Sequence, residues 1–541
     1  MVHWMAAAVQ SCCGFRESGW TLFDAQSSQM ADIFLTTLNA RYRHTAFGLR
    51  YLLANLAELR PRARLVEFEC TDAPEEMAET ILQQRPRIVG MGVYVWNVEA
   101  CTKLVRLLKR ICPTVIVVLG GPEVSHETDE QAIVQAADYV ICGEGERLFY
   151  TLCRALLDGQ RPMEKIQRAI PLDLSTVALP YEDYSSQDLA HRLLYVERSR
   201  GCPYRCAFCL SALDRTVRLF PLDPFLQAMQ RLLDRGARQF KFVDRTFNLH
   251  QTDCITVLEF FLHHVALGLF VHLEMVPDRL PDPLKALIKR FPPGVLQFEI
   301  GLQSFNPAVQ TRIHRRQNLA KSVANLRWIR EQTGVHLHAD LIVGLPGEDL
   351  ASFAAGFDQL ARLNPHEIQV GILKRLRGAP IREETAAFGM IYNPDPPYGL
   401  LCNDLLDFAT LRRLKRFARY WDLLGNSGRF SHVRDRIVAQ DSPFQTFLAL
   451  SDWLFAAIGR THEIALRHQF DWLYRGLTEG LGWDPAPVLA ALEADFKRGA
   501  LREAPDCLRG GQIGKPLPPK REKPALPARQ ARQGSGSDPS R

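Results

Sequence analysis

The amino-acid sequence predicts an α/β protein with two successive parallel-sheet domains and a helical C-terminal domain. Five short apolar runs alternate with helical patterns over residues 32–157, which is typical of a doubly wound, Rossmann-like sheet. Six further runs alternate with helical patterns over residues 194–373, as in a partial (β/α)6 barrel. Aromatic residues then recur at core-like spacing through residues 395–505, which indicates packed helices.

The first sheet is predicted from β-rich runs bounded by turn residues. Its strands are expected at residues 32–38, 64–68, 88–95, 115–119 and 139–142, and its helices at residues 46–59, 73–84 and 97–110 and after residue 146. The last two strands are each followed by a glycine-rich turn. Ligands bind beyond the carboxyl ends of such strands, where glycine lets the backbone approach them closely.

The barrel strands are expected at residues 194–198, 240–244, 271–275, 297–302, 336–343 and 367–373. Catalytic residues of such barrels lie at the carboxyl ends of the strands.

The predicted organisation is a leader or an extension absent from the native protein (1–29), the first domain (30–160), a linker (161–190), the barrel (191–390), the helical extension (391–505) and a disordered basic tail (506–541). The aromatic residues expected to pack in the extension are Phe408, Phe417, Tyr420, Trp421, Trp453 and Phe455.

Charge and cysteine content narrow the class of protein. The formal net charge is +6, and residues 509–541 alone carry eight Lys or Arg against two Asp or Glu, so the rest of the chain is neutral. This Pro-rich tail is expected to be disordered and solubilising; a nucleic-acid-binding arm is the weaker alternative, since no aromatic residue interleaves the basic ones. The 13 cysteines are scattered, and no apolar run is long enough for a membrane span, so we expect a reducing, cytoplasmic setting.

Three cysteines form the most informative motif. Cys202, Cys206 and Cys209 are spaced C-x₃-C-x₂-C just after the first predicted barrel strand. Three thiolates this close can bind three irons of a [4Fe–4S] cluster and leave the fourth iron open for a chelating cofactor. Zinc is one alternative, but it usually takes four ligands, and no fourth Cys or His has the required spacing. A disulfide is another, but nothing else indicates an oxidising compartment.

This spacing, with Phe208 before the last cysteine, resembles the signature of the radical S-adenosylmethionine (SAM) enzymes. The resemblance implies that SAM chelates the open iron through its amino and carboxylate groups. The loop after the second strand resembles D-x-x-F-N, the fourth strand resembles E-x-G-x-Q-S, and the fifth resembles the family's adenine-contacting segment. Arg315 is implied to pair with the SAM carboxylate, with its neighbour Arg316 as the alternative. The predicted SAM-binding residues are Phe208, Asp244, Asn248, Glu299, Gln303, Ser304, Arg315, Ile342 and Gly344.

Several of these features also have structural explanations. Asp244 could cap a helix, and Pro346 with Gly347 could form a turn that closes a buried strand. Glu274 ends the third strand, and a carboxylate pointing into a barrel is costly unless it is paired, so it is a candidate contact for substrate or SAM. The basic residues after the sixth strand could meet an acidic substrate or could simply be solvated.

Four loops of the first domain resemble those of the cobalamin-binding domain that precedes the radical core in one branch of that superfamily. In the family these loops hold the corrin and its nucleotide tail. A degenerate Rossmann domain that binds nothing is the alternative. The predicted cobalamin-binding residues are Asn39, Tyr42, His44, Tyr94, Val95, Trp96, Asn97, Gly120, Gly121, Pro122, Glu123, Gly143, Glu144 and Gly145.

The first of these loops departs from the D-x-H-x-x-G motif of cobalamin proteins that ligate the cobalt from below. The Asp is absent before His44, and Gly48 comes one residue late. Because a ligating His needs a hydrogen-bond acceptor behind it, we predict that His44 does not coordinate cobalt. Tyr94, Val95 or Trp96 would then face the lower side of the corrin. The resemblance implies a cobalt without a lower axial ligand, as in methyl-transferring radical enzymes.

The resemblance implies an enzyme in which the reduced cluster cleaves SAM to methionine and a 5′-deoxyadenosyl radical. That radical would abstract hydrogen from a substrate, and cobalamin would deliver a methyl group to the unactivated carbon; a second SAM would remethylate the cobalt. The alternatives are a radical cyclase or rearrangement enzyme, a non-catalytic cofactor sensor and, more weakly, a tRNA methylthiotransferase. That last class needs further cluster cysteines in the first domain, where Cys70, Cys101 and Cys142 lie in or beside predicted elements.

The expected partners follow from this chemistry. The cluster would take its electron from a donor such as flavodoxin or ferredoxin. The substrate would be a small molecule or a peptide, whose identity the sequence does not give, and we do not expect a nucleic-acid partner.

Overall fold

The structure is a computed structural model that describes residues 31–499, 503–509 and 529. The chain divides into two compact units, with the boundary between Gln187 and Asp188. The predicted leader and nearly all of the predicted disordered tail lie outside the described residues.

The first unit is built on one parallel sheet of six strands. The strands are β1 (Ile33–Asn39), β2 (Ala63–Glu69), β3 (Ile88–Gly92), β4 (Ile116–Gly120), β5 (Tyr139–Cys142) and β6 (Ile166–Arg168). Their order is β2-β1-β3-β4-β5-β6, and β1 pairs with both β2 and β3, as a doubly wound sheet requires. All seven residues of β1 are buried, because helices cover both faces of the sheet.

Five helices cover this sheet and create two hydrophobic cores. They are α1 (Phe47–Ala54), α2 (Pro74–Gln83), α3 (Val98–Ile111), α4 (Ala132–Ala136) and α5 (Glu146–Leu157). One core joins α2, α3 and α4 to one face, with Leu104 and Leu108 fully buried. The other joins α1 and α5 to the opposite face, with Phe149 and Leu152 at its centre. The doubly wound prediction is confirmed.

Two details of this sheet differ from the predictions. A sixth strand, β6, adds to the edge beside β5, within the segment expected to be a linker. The third strand ends at Gly92 rather than at residue 95, because the chain turns at Tyr94. The Asn97 side chain accepts a hydrogen bond from the Tyr94 amide at 2.7 Å and closes that turn.

The second unit begins with a six-stranded parallel sheet that forms the predicted partial barrel. The chain first forms β7 (Leu194–Val196), which belongs to this sheet. Two short antiparallel strands, β8 (Ser199–Arg200) and β9 (Arg218–Leu219), then flank the cysteine loop. The other five strands of the sheet are β10 (Gln239–Phe242), β11 (Phe270–Glu274), β12 (Leu296–Gln303), β13 (His336–Val343) and β14 (Glu367–Ile372). The barrel order is β14-β13-β12-β11-β10-β7, so β14 and β7 are its edges. A last antiparallel pair follows, β15 (Ile391–Tyr392) with β16 (Leu400–Cys402).

Helices connect the barrel strands and form the C-terminal region. The chain has α6 (Ser186–His191) at the unit boundary; the helices after it are α7 (Leu222–Asp234), α8 (Gln251–His263), α9 (Asp282–Ile288), α10 (Pro307–Arg312), α11 (Leu319–Gln332), α12 (Leu350–Arg362), α13 (Phe408–Leu424), α14 (Ser431–Val438), α15 (Pro443–Ile458), α16 (Leu466–Arg475) and α17 (Pro485–Arg498). No helix in the described part of the chain is long and apolar enough to cross a membrane.

Aromatic side chains hold the C-terminal helices against the barrel. Phe357 of α12 makes edge-to-face contacts with Phe417 and Trp421 of α13, with ring centroids 5.1 and 4.9 Å apart. Tyr420 is also buried, so these predictions are confirmed. Phe408 was predicted to be packed and is instead 53% exposed. It occupies the first position of α13, directly after the N-cap Asp407, and the helix turns its side chain away from the core.

Candidate active site

The loop that carries the three cysteines is held between β8 and β9. Ser199 pairs with Leu219 and Arg200 pairs with Arg218, so the two ends of the loop lie side by side. Gly201 has a φ of +87°, and a Cβ there would lie 2.3 Å from the carbonyl oxygen of Thr216. Only glycine is accommodated here, and it sets the direction in which the chain enters the motif.

All three cysteines line one cleft at the carboxyl ends of the barrel strands. The cleft encloses about 800 Å³, counting its open side. Cys202 and Cys206 are buried and Cys209 is half-buried. The other lining residues are Tyr204, Phe208, Arg245, Thr246, Glu274, Met275, Val276, Glu299, Gly301, Gln303, Arg315, Arg316, Gln317 and Asp340. The structure thus brings the predicted cluster ligands together with the ends of β11, β12 and β13.

Two polar groups approach the cysteine sulfurs. The Nη1 atom of Arg315 lies 3.5 Å from Cys206 Sγ, and the Thr246 hydroxyl lies 4.0 Å from Cys202 Sγ. Burial raises the pKa of both thiols, although the Arg315 charge opposes the shift at Cys206. Binding of a metal must therefore displace protons, and the nearby donors would then stabilise the thiolates.

The arrangement suits a cluster better than a single ion. Within the described residues, no three Cys, His, Asp or Glu side chains are placed to hold one metal ion. A four-iron cluster makes a different demand, because each thiolate binds a different iron. Three cysteines around one open cleft, with a cation beside them, fit such a group. All eleven described cysteines are free, so the disulfide alternative finds no support among them.

The interior of the barrel is charged. Glu299 of β12 is at its centre: Nζ of Lys241 lies 3.3 Å from its carboxylate, and Nε2 of His272 lies 2.9 Å away. Burial disfavours the Glu299 anion, but these two partners outweigh it and hold the pKa of the carboxyl well below its usual value. The same burial lowers the pKa of His272. Glu299 is therefore an anion at neutral pH.

Two further pairs complete this interior. Glu274 ends β11, and Arg245 lies 3.4 Å from its carboxylate; burial nevertheless raises the pKa of Glu274. On β13, His338 Nε2 lies 3.2 Å from Asp340 Oδ1. Burial alone would lower the pKa of His338, but the contact with Asp340 and the neighbouring carboxylates raise it to about 9. Arg245, Glu274 and Asp340 of these pairs line the same cleft as the three cysteines.

Four of the predicted SAM contacts line the cleft: Phe208, Glu299, Gln303 and Arg315. Gln303 has a φ of +70° at a bulge where the β12–β13 register shifts, which turns its side chain toward Gly301. A Cβ on Gly301 would lie 2.2 Å from the Gln303 amide nitrogen and 3.3 Å from an Arg315 nitrogen. The glycine leaves the space that these two side chains enter.

The other predicted SAM residues lie outside the set that lines the cleft. Asp244 is buried and accepts hydrogen bonds from the Arg198 amide and the Ser199 hydroxyl; burial raises its pKa to about 7. Asn248 is fully buried, and its amide donates to the carbonyls of Val276 and Arg279 at 2.9 and 2.8 Å. Asn248 thus shapes the loop after β11, whose Val276 does line the cleft.

The remaining predicted residues come from the fourth and fifth strands. Ser304 is buried and donates a hydrogen bond to Glu348, which joins the end of β12 to the turn after β13. Gly344 has a φ of +88°, and Ile342 is half-buried on β13. The SAM-contact predictions for these three residues stay predictions.

Several lining residues were not predicted. Arg245 and Thr246 follow Asp244 in the same loop, and Asp340 lies on the inward face of β13. Alternation along the strands provided a signal: His272 stands two residues before Glu274, and His338 two before Asp340, so each pair shares one face. Their contacts depend on cross-strand register, which the sequence alone does not provide.

In the first unit, the predicted cobalamin loops all leave the carboxyl edge of the sheet. Gly121, after β4, has a φ of +108°, and a Cβ there would lie 2.4 Å from the Val93 carbonyl oxygen. Ser125, which was not predicted, donates to the Gly121 carbonyl at 2.9 Å and accepts from the Gly143 amide at 3.2 Å. This serine ties the loop after β4 to the loop after β5, where Gly143 has a φ of +90°.

The loop after β3 presents an aromatic surface. The rings of Tyr94 and Trp96 stack with centroids 4.4 Å apart and planes 7° apart, and Trp96 is 54% exposed. Asn97 is buried and donates to Thr37, Leu38 and Gly92. The two predicted roles therefore separate: Trp96 is exposed and Tyr94 and Val95 are half-buried, whereas Asn97 shapes the turn.

The loop after β1 is anchored by Glu67. Its carboxylate contacts Arg50 and accepts hydrogen bonds from the Asn39 side chain and the Ala46 amide. Asn39 also donates to the His44 carbonyl at 3.0 Å. Tyr42 is 40% exposed and accepts a hydrogen bond from Gln187 at 2.7 Å.

The remaining predicted cobalamin residues lie in the loops after β4 and β5. Pro122 and Glu123 form a single helical turn directly after Gly121, and Glu123 is buried. Glu144 accepts a hydrogen bond from the Leu172 amide, and Gly145 precedes α5. Exposed backbone with an aromatic pair at one sheet edge fits a flat, largely apolar ring system with a polar tail.

The cysteines considered for a second cluster do not form one. Cys101 is fully buried and Cys142 is buried, both within the core that α2, α3 and α4 share, and Cys70 packs against that core. Burial raises the pKa of all three thiols. They are packing residues.

Three family models match the chain in succession. The B12 binding domain covers residues 35–152, the Radical SAM superfamily covers residues 196–360, and a Protein of unknown function (DUF4080) covers residues 386–514. The first two coincide with the doubly wound sheet and with most of the barrel. The third covers the helical C-terminal region.

Known proteins agree with this organisation. The 2-(S-pantetheinyl)-carbapenam-3-carboxylate methyltransferase of Streptantibioticus cattleyicolor is 26% identical over 63% of this chain and 55% of its own length, and the chain spans about half the length of such curated relatives. The structure of the cobalamin-dependent radical enzyme OxsB has a TM-score of 0.63 at 13% identity, covering 89% of this chain and 83% of that chain. The radical SAM methyltransferase TsrM from Kitasatospora setae has a TM-score of 0.55 at 16% identity, covering 68% and 79%. Residues 35–152 thus match the B12 binding domain, and residues 196–360 match the Radical SAM superfamily.

Proposed function

We propose that this protein cleaves SAM reductively at a [4Fe–4S] cluster bound by Cys202, Cys206 and Cys209, and that it uses cobalamin to methylate an unactivated carbon. One observation supports the first part above all: the three cysteines line the same cleft as Glu299, Gln303 and Arg315. The methyltransferase relative supports the second part, as does the aromatic and glycine-rich edge of the B12-binding domain.

The chain's own residues would bind and orient SAM. When bound, the cluster supplies the electron that breaks a C–S bond of SAM, and cobalamin carries the methyl group. Arg315 offers a cation for the SAM carboxylate, and the anion of Glu299 offers an acceptor for the amino group or the ribose. Phe208 and Met275 contribute apolar surface that limits the access of water.

In the B12-binding domain, the backbone after β4 and β5 would hold the nucleotide tail, and Tyr94 with Trp96 would face the corrin. We further propose that His44 does not ligate the cobalt. Its loop lacks the Asp of the ligating motif, and its backbone is fixed by Asn39. A His44→Ala variant should keep the wild-type cobalt absorption spectrum; a changed spectrum or lost binding would overturn this part.

Two other functions stay as alternatives with distinct products. A cyclase or rearrangement enzyme would form deoxyadenosine without S-adenosylhomocysteine. A sensor would bind the cofactors without turnover. In either catalytic case a flavodoxin or ferredoxin would serve as the electron donor, and the substrate would be a small molecule or a peptide.

The test is an anaerobic assay of reconstituted protein with SAM, reductant and hydroxocobalamin, with products followed by mass spectrometry. The proposal predicts deoxyadenosine together with S-adenosylhomocysteine, the latter only when cobalamin is present. Deoxyadenosine alone would favour the cyclase or rearrangement enzyme. Neither product, across a panel of candidate substrates and despite an intact cluster, would favour the sensor.

A further inference from the structure

A second cavity lies beside β14, the edge strand of the barrel. Its volume is about 560 Å³, which is within the range of small-molecule sites. Its walls come from β13, β14, α13 and α15, with Arg529 closing part of the rim. The lining residues are His338, Glu367, Gln369, Val370, Ile372, Arg412, Lys415, Arg416, Ala418, Arg419, Asp422, Asn426, Phe455, Thr461 and Arg529.

The charge of this cavity is unbalanced. Five Lys or Arg line it against two carboxylates, Glu367 and Asp422. Arg529 already pairs with both acids, at 2.8 Å from each. Glu367 also lies 3.0 Å from His336, and Asp422 lies 3.2 Å from Arg419. Glu367 and Asp422 therefore both have cationic or histidine partners other than Arg412, Lys415 and Arg416.

Among the described residues, three cations on one face of α13 have no ion-pair partner. Lys415 and Arg416 follow Arg412 by three and four residues, so both lie one turn along the helix from it. Within the described residues, none of the three makes an ion pair. The guanidinium of Arg416 lies 4.5 Å from the ring centre of Phe455, and its buried Nε has no hydrogen-bond partner. A concave site that concentrates such cations attracts an anion.

The cavity also adjoins the active-site cleft. His338 lines the cavity, and Asp340, which lies 3.2 Å from His338, lines the cleft. A molecule in this cavity would therefore be one side-chain contact, His338 to Asp340, from the active-site cleft. Val370, Ile372 and Phe455 offer apolar surface for the rest of that molecule.

We propose that this cavity binds the phosphate or diphosphate group of a small organic molecule. Three uncompensated cations exceed what one carboxylate would neutralise, and Arg with Lys is the usual combination for phosphate oxygens. Identification of this organic phosphate as the substrate, or as part of it, rests on the proposed function. The anion site itself does not.

The test is calorimetric titration of the reconstituted full-length protein with inorganic pyrophosphate at constant ionic strength. The proposal predicts saturable binding at one site, weakened about tenfold or more in Arg412→Gln/Lys415→Gln, since charge-assisted hydrogen bonds are lost. The matched control is Lys321→Gln/Arg327→Gln, which removes two exposed cations from α11, outside the cavity. This control should bind pyrophosphate as the wild type does.

Two results would overturn the site: no saturable binding to the wild type, or equal weakening in both double variants, which would show general charge attraction. Unfolding temperatures of both variants identify any loss of binding that comes from misfolding. Deoxyadenosine formation is measured in parallel on the wild type and the control. If they form none across the panel of candidate substrates while pyrophosphate binds, the proposed function fails and the anion site stands.

Discussion

The Nη1 atom of Arg315 lies 3.5 Å from the sulfur of Cys206, and a second nitrogen of the same side chain donates to the Gly301 carbonyl. One guanidinium thus joins the cysteine loop to the end of β12. Under the proposed function, this contact would let Arg315, rather than Arg316, act as the cation beside both the cluster and the SAM carboxylate.

Replacing Arg315 by Gln should lower deoxyadenosine formation by about tenfold or more while the iron content is retained. The reason is the loss of one charge beside Cys206 and of its bond to Gly301. Iron analysis and a SAM-cleavage assay provide the measurement. Arg316→Gln is the matched control, since Arg316 lines the same cleft without either contact. An equal loss in both variants would show that Arg315 has no special position.

A Gly301→Ala change should impair SAM cleavage, because the new Cβ would lie 2.2 Å from the Gln303 amide and force it and Arg315 out of place. We expect a larger KM for SAM and a stability loss of only about 1–2 kcal/mol, since the flexible ends of both side chains can move. Steady-state kinetics and urea unfolding measure the two effects. Gly371→Ala on β14 is the control, as its Cβ would meet only the Leu341 carbonyl at 3.7 Å. Normal kinetics in Gly301→Ala would contradict this role.

Gly121→Ala should weaken cobalamin binding by about tenfold, or about 1.4 kcal/mol, because its Cβ would collide with the Val93 carbonyl and push the loops after β3 and β4 apart. Absorption spectroscopy after gel filtration measures bound cobalamin. Gly159→Ala is the control: it also has a positive φ, of +84°, but nothing lies within 4 Å of its Cβ. If both variants lose cobalamin equally, the cause is the strain of an alanine at positive φ rather than the collision with the Val93 carbonyl.

The burial of the Glu348 carboxyl predicts a pH dependence of stability. Burial raises the pKa of the Glu348 carboxyl from 4.5 to about 7, so the folded state favours its protonated form. The contribution of the protonated Glu348 carboxyl to the free energy of unfolding is complete below about pH 4.5. As the pH rises toward 7, up to about 3 kcal/mol of this contribution is lost. Glu348→Gln mimics the protonated form, so its unfolding free energy should fall less over this range than that of the wild type. Urea unfolding at pH 5 and pH 7.5 compares them; parallel curves would contradict the assignment.

Much of the fold could be predicted from the sequence because its strands are apolar runs bounded by turns. Tyr139–Cys142 and His336–Val343 begin and end where the sequence predicts. The strand Ile166–Arg168 was missed because it is only three residues long, is partly polar and pairs along one edge. Short edge strands carry little periodicity.

The site was predictable in its motifs but not in its contacts. The cysteine spacing and the Glu299–Gln303 alternation gave residues that do share one cleft. Asn248 looked equally suited to SAM, but its amide bonds the backbone of the loop after β11. The contact of Lys241 and His272 with Glu299 depends on three strands lying side by side, so no local pattern reveals it.

The most direct test of the central claim is electron paramagnetic resonance of the reduced, reconstituted protein with and without SAM. The account predicts a [4Fe–4S]⁺ signal that changes when SAM is added, because three cysteines leave one iron open to it. In Cys206→Ala that signal and its response should be lost. A wild-type signal that SAM does not alter, or a full and responsive cluster in Cys206→Ala, would contradict the assignment of Cys202, Cys206 and Cys209 as the cluster ligands.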